Sequence, residues 1–214
     1  MANDIGRFRG PLGDSGYWEL PNRGYEWDFG LSLGPYRTGQ QHAITPLGAK
    51  IRDYKYWDQT GEELESLADD ITMKALEVLW EKFEAPPFRY LVAIPPNHTG
   101  KPSLPRHVCQ RISERYPERF TDKSDSITRL RELDSVKGIY KGSRAQYVKG
   151  AWAIDPALFP APPKDSGVLI VDDVYDTGST MREMSRTMRR QFARDVAQYV
   201  LTLSHVETRD WNQG

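Results

Sequence analysis

Two adjacent carboxylates, Asp172 and Asp173, follow the apolar run VLIV at residues 168–171, and the small polar run Asp176, Thr177, Gly178, Ser179 and Thr180 lies just beyond. Paired acids offer acceptors to the neighbouring hydroxyls of a ribose, or hard oxygens to a hydrated magnesium ion. A glycine among hydroxyl side chains at a helix start suits a phosphate, because backbone N–H groups and the helix dipole point at the anion. Taken singly, the acids could be a solvated turn, and Thr177 or Ser179 could be a helix cap. In this order they form a constellation that capping does not require. A sugar phosphate satisfies both halves, acids to its hydroxyls and loop to its phosphate.

The elements that must position these residues are legible as patterns. VLIV, YLVAI at 90–94, AWAI at 151–154 and VAQYVLTL at 196–203 are short apolar runs suited to buried strands. Leu64, Leu67, Ala68, Ile71, Ala75, Leu76, Leu79, Trp80 and Phe83 recur at three- and four-residue steps and predict a long helix. Thr60 and Glu63 have capping-box spacing at its start, and Pro86 and Pro87 stop it. A second helix is expected over about 104–116, and a third over 179–192 with Met181, Met184, Met188 and Phe192 inward. Strands alternating with helices predict an α/β fold with a mainly parallel, twisted sheet flanked by helices, where ligands sit beyond the carboxyl ends of the strands.

Residues 1–58 are rich in glycine, proline and aromatic side chains without sustained periodicity, and are expected to form an irregular aromatic-rich N-terminal lobe or hood; 59–214 would be the core. Those aromatics could stack on bases, but packing of a satellite core is the stronger expectation. Residues 121–149 carry seven bases and four acids without strong periodicity, which suggests a mobile loop.

The 214 residues suffice for one sizeable α/β core. A formal charge of -1 argues against strong duplex binding and against attraction to an anionic membrane. The lone Cys109 excludes an intramolecular disulfide framework, and no apolar run approaches a membrane span; a cytoplasmic protein is expected. His42, His107 and His205 lack a neighbouring constellation and are read as surface or packing residues, and Cys109 as a small buried apolar residue.

VLIVDDVYDTGSTM at 168–181 resembles the phosphoribosyl diphosphate (PRPP) motif of type I phosphoribosyltransferases. PLGAKIRDYKYWDQTGEELESLADDI at 46–71, with its L-x-x-x-I-x-x-x-K-Y pattern, is similar to the front of ComF-like members. YLVAIPPNHTG is placed like their diphosphate-binding loop, and ITRLRELDSVKGIYKGSRAQYVKGAWAI at 127–154 is similar to their basic mobile segment. The metal-binding cysteines at the front of some ComF-like chains are absent.

The resemblance implies that Asp172 and Asp173 contact the ribose hydroxyls of PRPP, and its Mg2+ directly or through water. Asp176, Thr177, Gly178, Ser179 and Thr180 would cradle the 5-phosphate, and Pro96, Asn97, His98 and Lys101 would hold the diphosphate. Arg144 or Arg129 would reach the leaving group as the loop closes, and Asp176 matches an aspartate that moves a proton near the base in purine-handling members. The implied activity is Mg-dependent transfer of phosphoribosyl to a nitrogenous, nucleobase-like acceptor with release of diphosphate. A non-catalytic PRPP sensor or an accessory to nucleic-acid processing is the alternative, and the resemblance also implies a homodimer.

Overall fold

A computed structural model describes residues 16–21, 26–38, 43–56, 61–96, 102–133, 143–192 and 195–206. Its centre is parallel: β5 (Phe88–Ala93), β9 (Gly167–Tyr175) and β10 (Gln198–Val206) lie side by side, with β6 (Thr121–Asp122) outside β5. Alternate residues of the apolar runs serve opposite layers, as a pleated strand requires. Leu91, Leu169, Val171, Leu201 and Leu203 pack beneath α1 (Pro46–Tyr56), α2 (Gly61–Phe83) and α3 (Leu104–Arg115). Val92, Val168, Ile170 and Val200 meet Met181, Met184 and Met188 of α5 (Ser179–Phe192) on the other face. Each such side chain contributes about 1.5–3 kcal/mol by leaving water, so both layers clamp the strand that carries the acids.

The long helices follow their local signals. Ala68, Ile71, Ala75, Leu76 and Leu79 form the buried stripe of α2, and the chain leaves it through Glu84 (φ 53) before the two prolines. Ser103 caps α3 by accepting from the Arg106 amide at 3.3 Å. Thr60 lies outside the described residues. No helix among the described residues is long and apolar enough to cross a membrane.

Two arrangements go beyond the sequence patterns. In the described front, β2 (Phe29–Ser32) and β3 (Pro35–Thr38) run parallel to β10 and widen the main sheet. β1 (Trp18–Glu19) and β4 (Ala43–Ile44) are added antiparallel, and Trp27 and Tyr54 are almost fully buried. Strands of two to four residues are too short to show a period, so partners across the sheet define them. Gly30 has no room for a side chain, since a Cβ there would lie 2.6 Å from Val200 Cγ2.

The second arrangement concerns AWAI, which forms the expected strand: this β8 (Trp152–Ile154) lies outside the main sheet and pairs antiparallel with β7 (Ile127–Arg129). Trp152, Ile127, Leu133 and Val148 bury themselves in the α5-side core, which holds this ribbon and α4 (Arg144–Val148) against the body. The flanks of segment 121–149 are therefore built into the fold, and residues 134–142 lie outside the described set.

Ser124 anchors the turn that caps β5. Its hydroxyl accepts the Ala93 amide at 2.9 Å and donates to Asp122, whose carboxyl is pushed up by burial. Ser124→Ala leaves both groups without that partner. It is expected to cost about 1–3 kcal/mol, read as a lower urea midpoint with an unchanged slope; an unchanged midpoint would refute the anchoring role.

Candidate functional site

The strand order β10-β9-β5-β6 means that the chain leaves β5 outward to β6 and later leaves β9 in the opposite direction to β10. Their carboxyl ends therefore part, which is where ligands bind in open α/β sheets. Val171 pairs with Ala93, and its carbonyl accepts from the Ile94 amide at 2.9 Å. Beyond that point β9 continues beside β10 alone, to Tyr175 opposite His205. Asp172 and Asp173 thus lie inside the strand rather than after it, on a stretch without a β5 partner.

Asp173 forms an ion pair through Oδ2 with Lys55 at the last turn of α1. Asp172 lies opposite Thr202 of β10, and its Oδ1 accepts the Asp173 amide at 2.9 Å. Burial first, and the Asp173 charge second, push the Asp172 carboxyl up to about 7, against the opposing amide and Lys55.

Tyr175 to Ser179 turn the chain from strand to helix. Gly178 has φ +71, and a Cβ there would meet the Tyr175 hydroxyl at 2.7 Å and Cε2 at 2.8 Å. Both the backbone conformation and the aromatic floor demand glycine. The Gly178 carbonyl takes the Arg182 amide at 2.9 Å, and Thr177 Oγ1 and Ser179 Oγ are 2.9 Å apart. The first amides of α5 point past these hydroxyls, an arrangement suited to an anion.

Arg144, on α4, pairs with the Asp176 carboxylate. Arg129 donates from Nη2 to the Pro95 carbonyl at 3.1 Å, while its buried Nε and Nη1 have no hydrogen-bond partner among the described residues. Burial lowers its pKa, so a cation sits partly desolvated beside the loop after β5. Pro96 ends the described part of that loop; Asn97, His98 and Lys101 lie outside the described residues.

The fold thus brings Asp172, Asp173, Asp176, Thr177, Gly178, Ser179 and Thr180 onto one strand-turn-helix unit and joins Arg144 to it. Two further residues join the site. In the sequence Lys55 is one of the bases interleaved with the front aromatics and the K of the L-x-x-x-I-x-x-x-K-Y pattern, and neither signal points to Asp173. Glu183 is buried on α5, where Oε1 accepts the Gly150 amide at 2.9 Å and Arg190 Nη2 at 3.1 Å, tying α5 to the chain that follows Arg144. His205 is buried against Ser32 Oγ at 3.0 Å and pushed down to about 4 by burial. His107 Nδ1 meets the Tyr54 hydroxyl at 2.8 Å, and burial raises the Cys109 thiol. All three are packing groups in this structure, and His42 lies outside the described residues.

Among the described residues no three His, Cys, Asp or Glu side chains gather as a metal cage. Two adjacent hard carboxylates at the carboxyl end of a strand suit Mg2+, which keeps waters and takes its other oxygens from a bound phosphate. Asp172 and Asp173 are the residues that would hold it.

Residues 111–213 match the family model of the phosphoribosyl transferase domain, which spans the strand-turn-helix unit, α4 and the β7–β8 ribbon. That match, over just under half of the chain, supports a phosphoribosyltransferase domain of type I in this part of the protein. No curated protein matches the chain.

Proposed function

We propose that the protein transfers phosphoribosyl from PRPP to a nitrogenous, nucleobase-like acceptor and releases diphosphate. One observation carries this assignment: Asp172 and Asp173 stand on the end of β9 that has lost its β5 neighbour and keeps only β10, one turn before the Gly178 loop and the amides of α5. Ribose hydroxyls fit the acids, and the 5-phosphate fits Asp176, Thr177, Gly178, Ser179 and Thr180. The diphosphate would lie toward Pro96, Asn97, His98 and Lys101, where the unpartnered nitrogens of Arg129 offset its charge. When bound, Mg2+ neutralises the diphosphate and supplies Lewis-acid assistance to its departure.

The remaining work is positioning. Bond breaking at C1 develops positive character on the ribose ring, which the carboxylates of Asp172 and Asp173 stabilise from the sugar side. The Arg144 side chain would turn from Asp176 toward the leaving group, releasing Asp176 to accept a proton from the acceptor nitrogen. Closure over the site excludes water that would otherwise hydrolyse PRPP. A ComF-like affiliation, a cytoplasmic location and a homodimer belong to the same proposal.

Asp176→Asn is expected to retain PRPP affinity within about threefold and to slow transfer roughly 10²–10⁴-fold, the usual contribution of a placed base. Equal single-turnover rates for the two proteins would remove this role. The general test is a screen for diphosphate release from PRPP and Mg2+ against bases and amines. A second assignment, a PRPP sensor without chemistry, draws support from the Arg144–Asp176 ion pair, which occupies the proposed base. Tight PRPP binding without release for any acceptor would select it.

A further inference from the structure

Three side chains of α1 are pinned in the core: Leu47, Ile51 and Tyr54 are 2%, 0% and 1% exposed. Spaced four and three residues apart, they line one helix face and fix both the height and the rotation of α1 above the sheet. Lys55 follows one turn after Ile51 at the carboxyl end of the helix, and its ammonium meets Asp173 Oδ2. Side chains that remain 32% and 28% exposed contribute little to folding as an ion pair. The pair is therefore poorly explained as a stability device, although the buried face of α1 fixes the helix end that carries Lys55.

The location suggests a use. PRPP is a polyanion, and placing it beside two carboxylates is unfavourable unless a fixed cation offsets one of them. A carboxylate held through one oxygen also presents its other oxygen in a set direction. We propose that Lys55 is a positioning residue of the sugar-binding site. It holds the Asp173 carboxylate oriented toward a ribose hydroxyl and offsets its charge toward the incoming sugar phosphate. This inference rests on the proposed function, deepens it with a residue outside the matched domain, and accounts for the lysine of the L-x-x-x-I-x-x-x-K-Y pattern.

Calorimetric titration of the full chain with PRPP and with ribose 5-phosphate, each with Mg2+, tests it in the native protein and in Lys55→Met, Lys55→Arg, Asp173→Asn and Lys55→Met/Asp173→Asn. Because Lys55 acts at the sugar, Lys55→Met should weaken both ligands by about tenfold, equivalent to ~1.4 kcal/mol. Lys55→Arg should stay within about threefold, and melting temperatures should be nearly level, as expected for a half-exposed pair. In the Asp173→Asn background, Lys55→Met should have no further effect. Native-like or tighter binding by Lys55→Met overturns the inference, as does additive loss in the double variant. Weakening confined to PRPP also overturns it, since that would put Lys55 on the diphosphate. Failure of the native chain to bind PRPP overturns the site assignment itself, whereas an unaltered Lys55→Met affinity removes Lys55 alone.

Discussion

Asp172→Asn is expected to leave a protein that melts higher and holds PRPP much more weakly; with Asp173→Asn added, magnesium-dependent binding should vanish from calorimetry. The stability gain follows from the raised carboxyl. Unfolded, Asp172 ionises near its ordinary 3.8; folded, it ionises near 7. Between those values the native state holds the extra proton, so native stability falls as pH rises from about 4 to about 7, and above 7 the whole penalty is present. The difference corresponds to roughly 4 kcal/mol at about 1.4 kcal/mol per pH unit, reduced to on the order of 2 kcal/mol because the side chain is partly exposed.

Asparagine carries no such penalty and can still accept the Asp173 amide through its oxygen. At pH 8 the single variant should melt roughly 4–8 °C above the native chain, and at pH 4 the two should coincide. A variant that melts lower at pH 8, or binds Mg-PRPP as the native protein does, would remove the assigned role of Asp172. A group that destabilises the fold while facing a ligand crevice is the pattern expected of a binding residue.

The second large effect is expected at Gly178. Alanine would have to adopt φ +71, which costs about 1–2 kcal/mol, and its methyl would lie 2.7–2.9 Å from Tyr175. The loop must move off its aromatic floor, and the amides of α5 then no longer converge. Ribose 5-phosphate affinity should fall at least about tenfold, with a stability loss of about 1–3 kcal/mol. Adding Tyr175→Ala should recover part of the stability by removing the clash, but not the affinity, because the left-handed backbone remains strained. Unchanged affinity in Gly178→Ala would mean that the anion sits elsewhere.

Much of this site was legible in the sequence because its signals are local. VLIV, the two acids, the glycine and the hydroxyls are consecutive, and strand, turn and helix start follow from the residue types along one short segment. The stripe of α2, the cap of α3 and the methionines of α5 are local in the same sense. The acids nonetheless prove to be strand residues, since Asp172 pairs with Thr202 and Val174 with Ser204. A polar run looks like a loop until a neighbouring strand satisfies its backbone.

What the sequence determined by itself is the set of groups available at the mouth of the sheet: two adjacent carboxylates, a glycine turn among hydroxyls, and an α/β frame to hold them. Tertiary structure alone decided which cations meet those acids, Lys55 at Asp173 and Arg144 at Asp176, and sent β2 and β3 into the sheet but β8 into a ribbon. Covalent order and a 3.6- or 2-residue period constrain neighbours a few residues apart. Contacts between residues 118 and 32 positions apart depend on how whole helices and strands settle over a shared core, and no short segment encodes that.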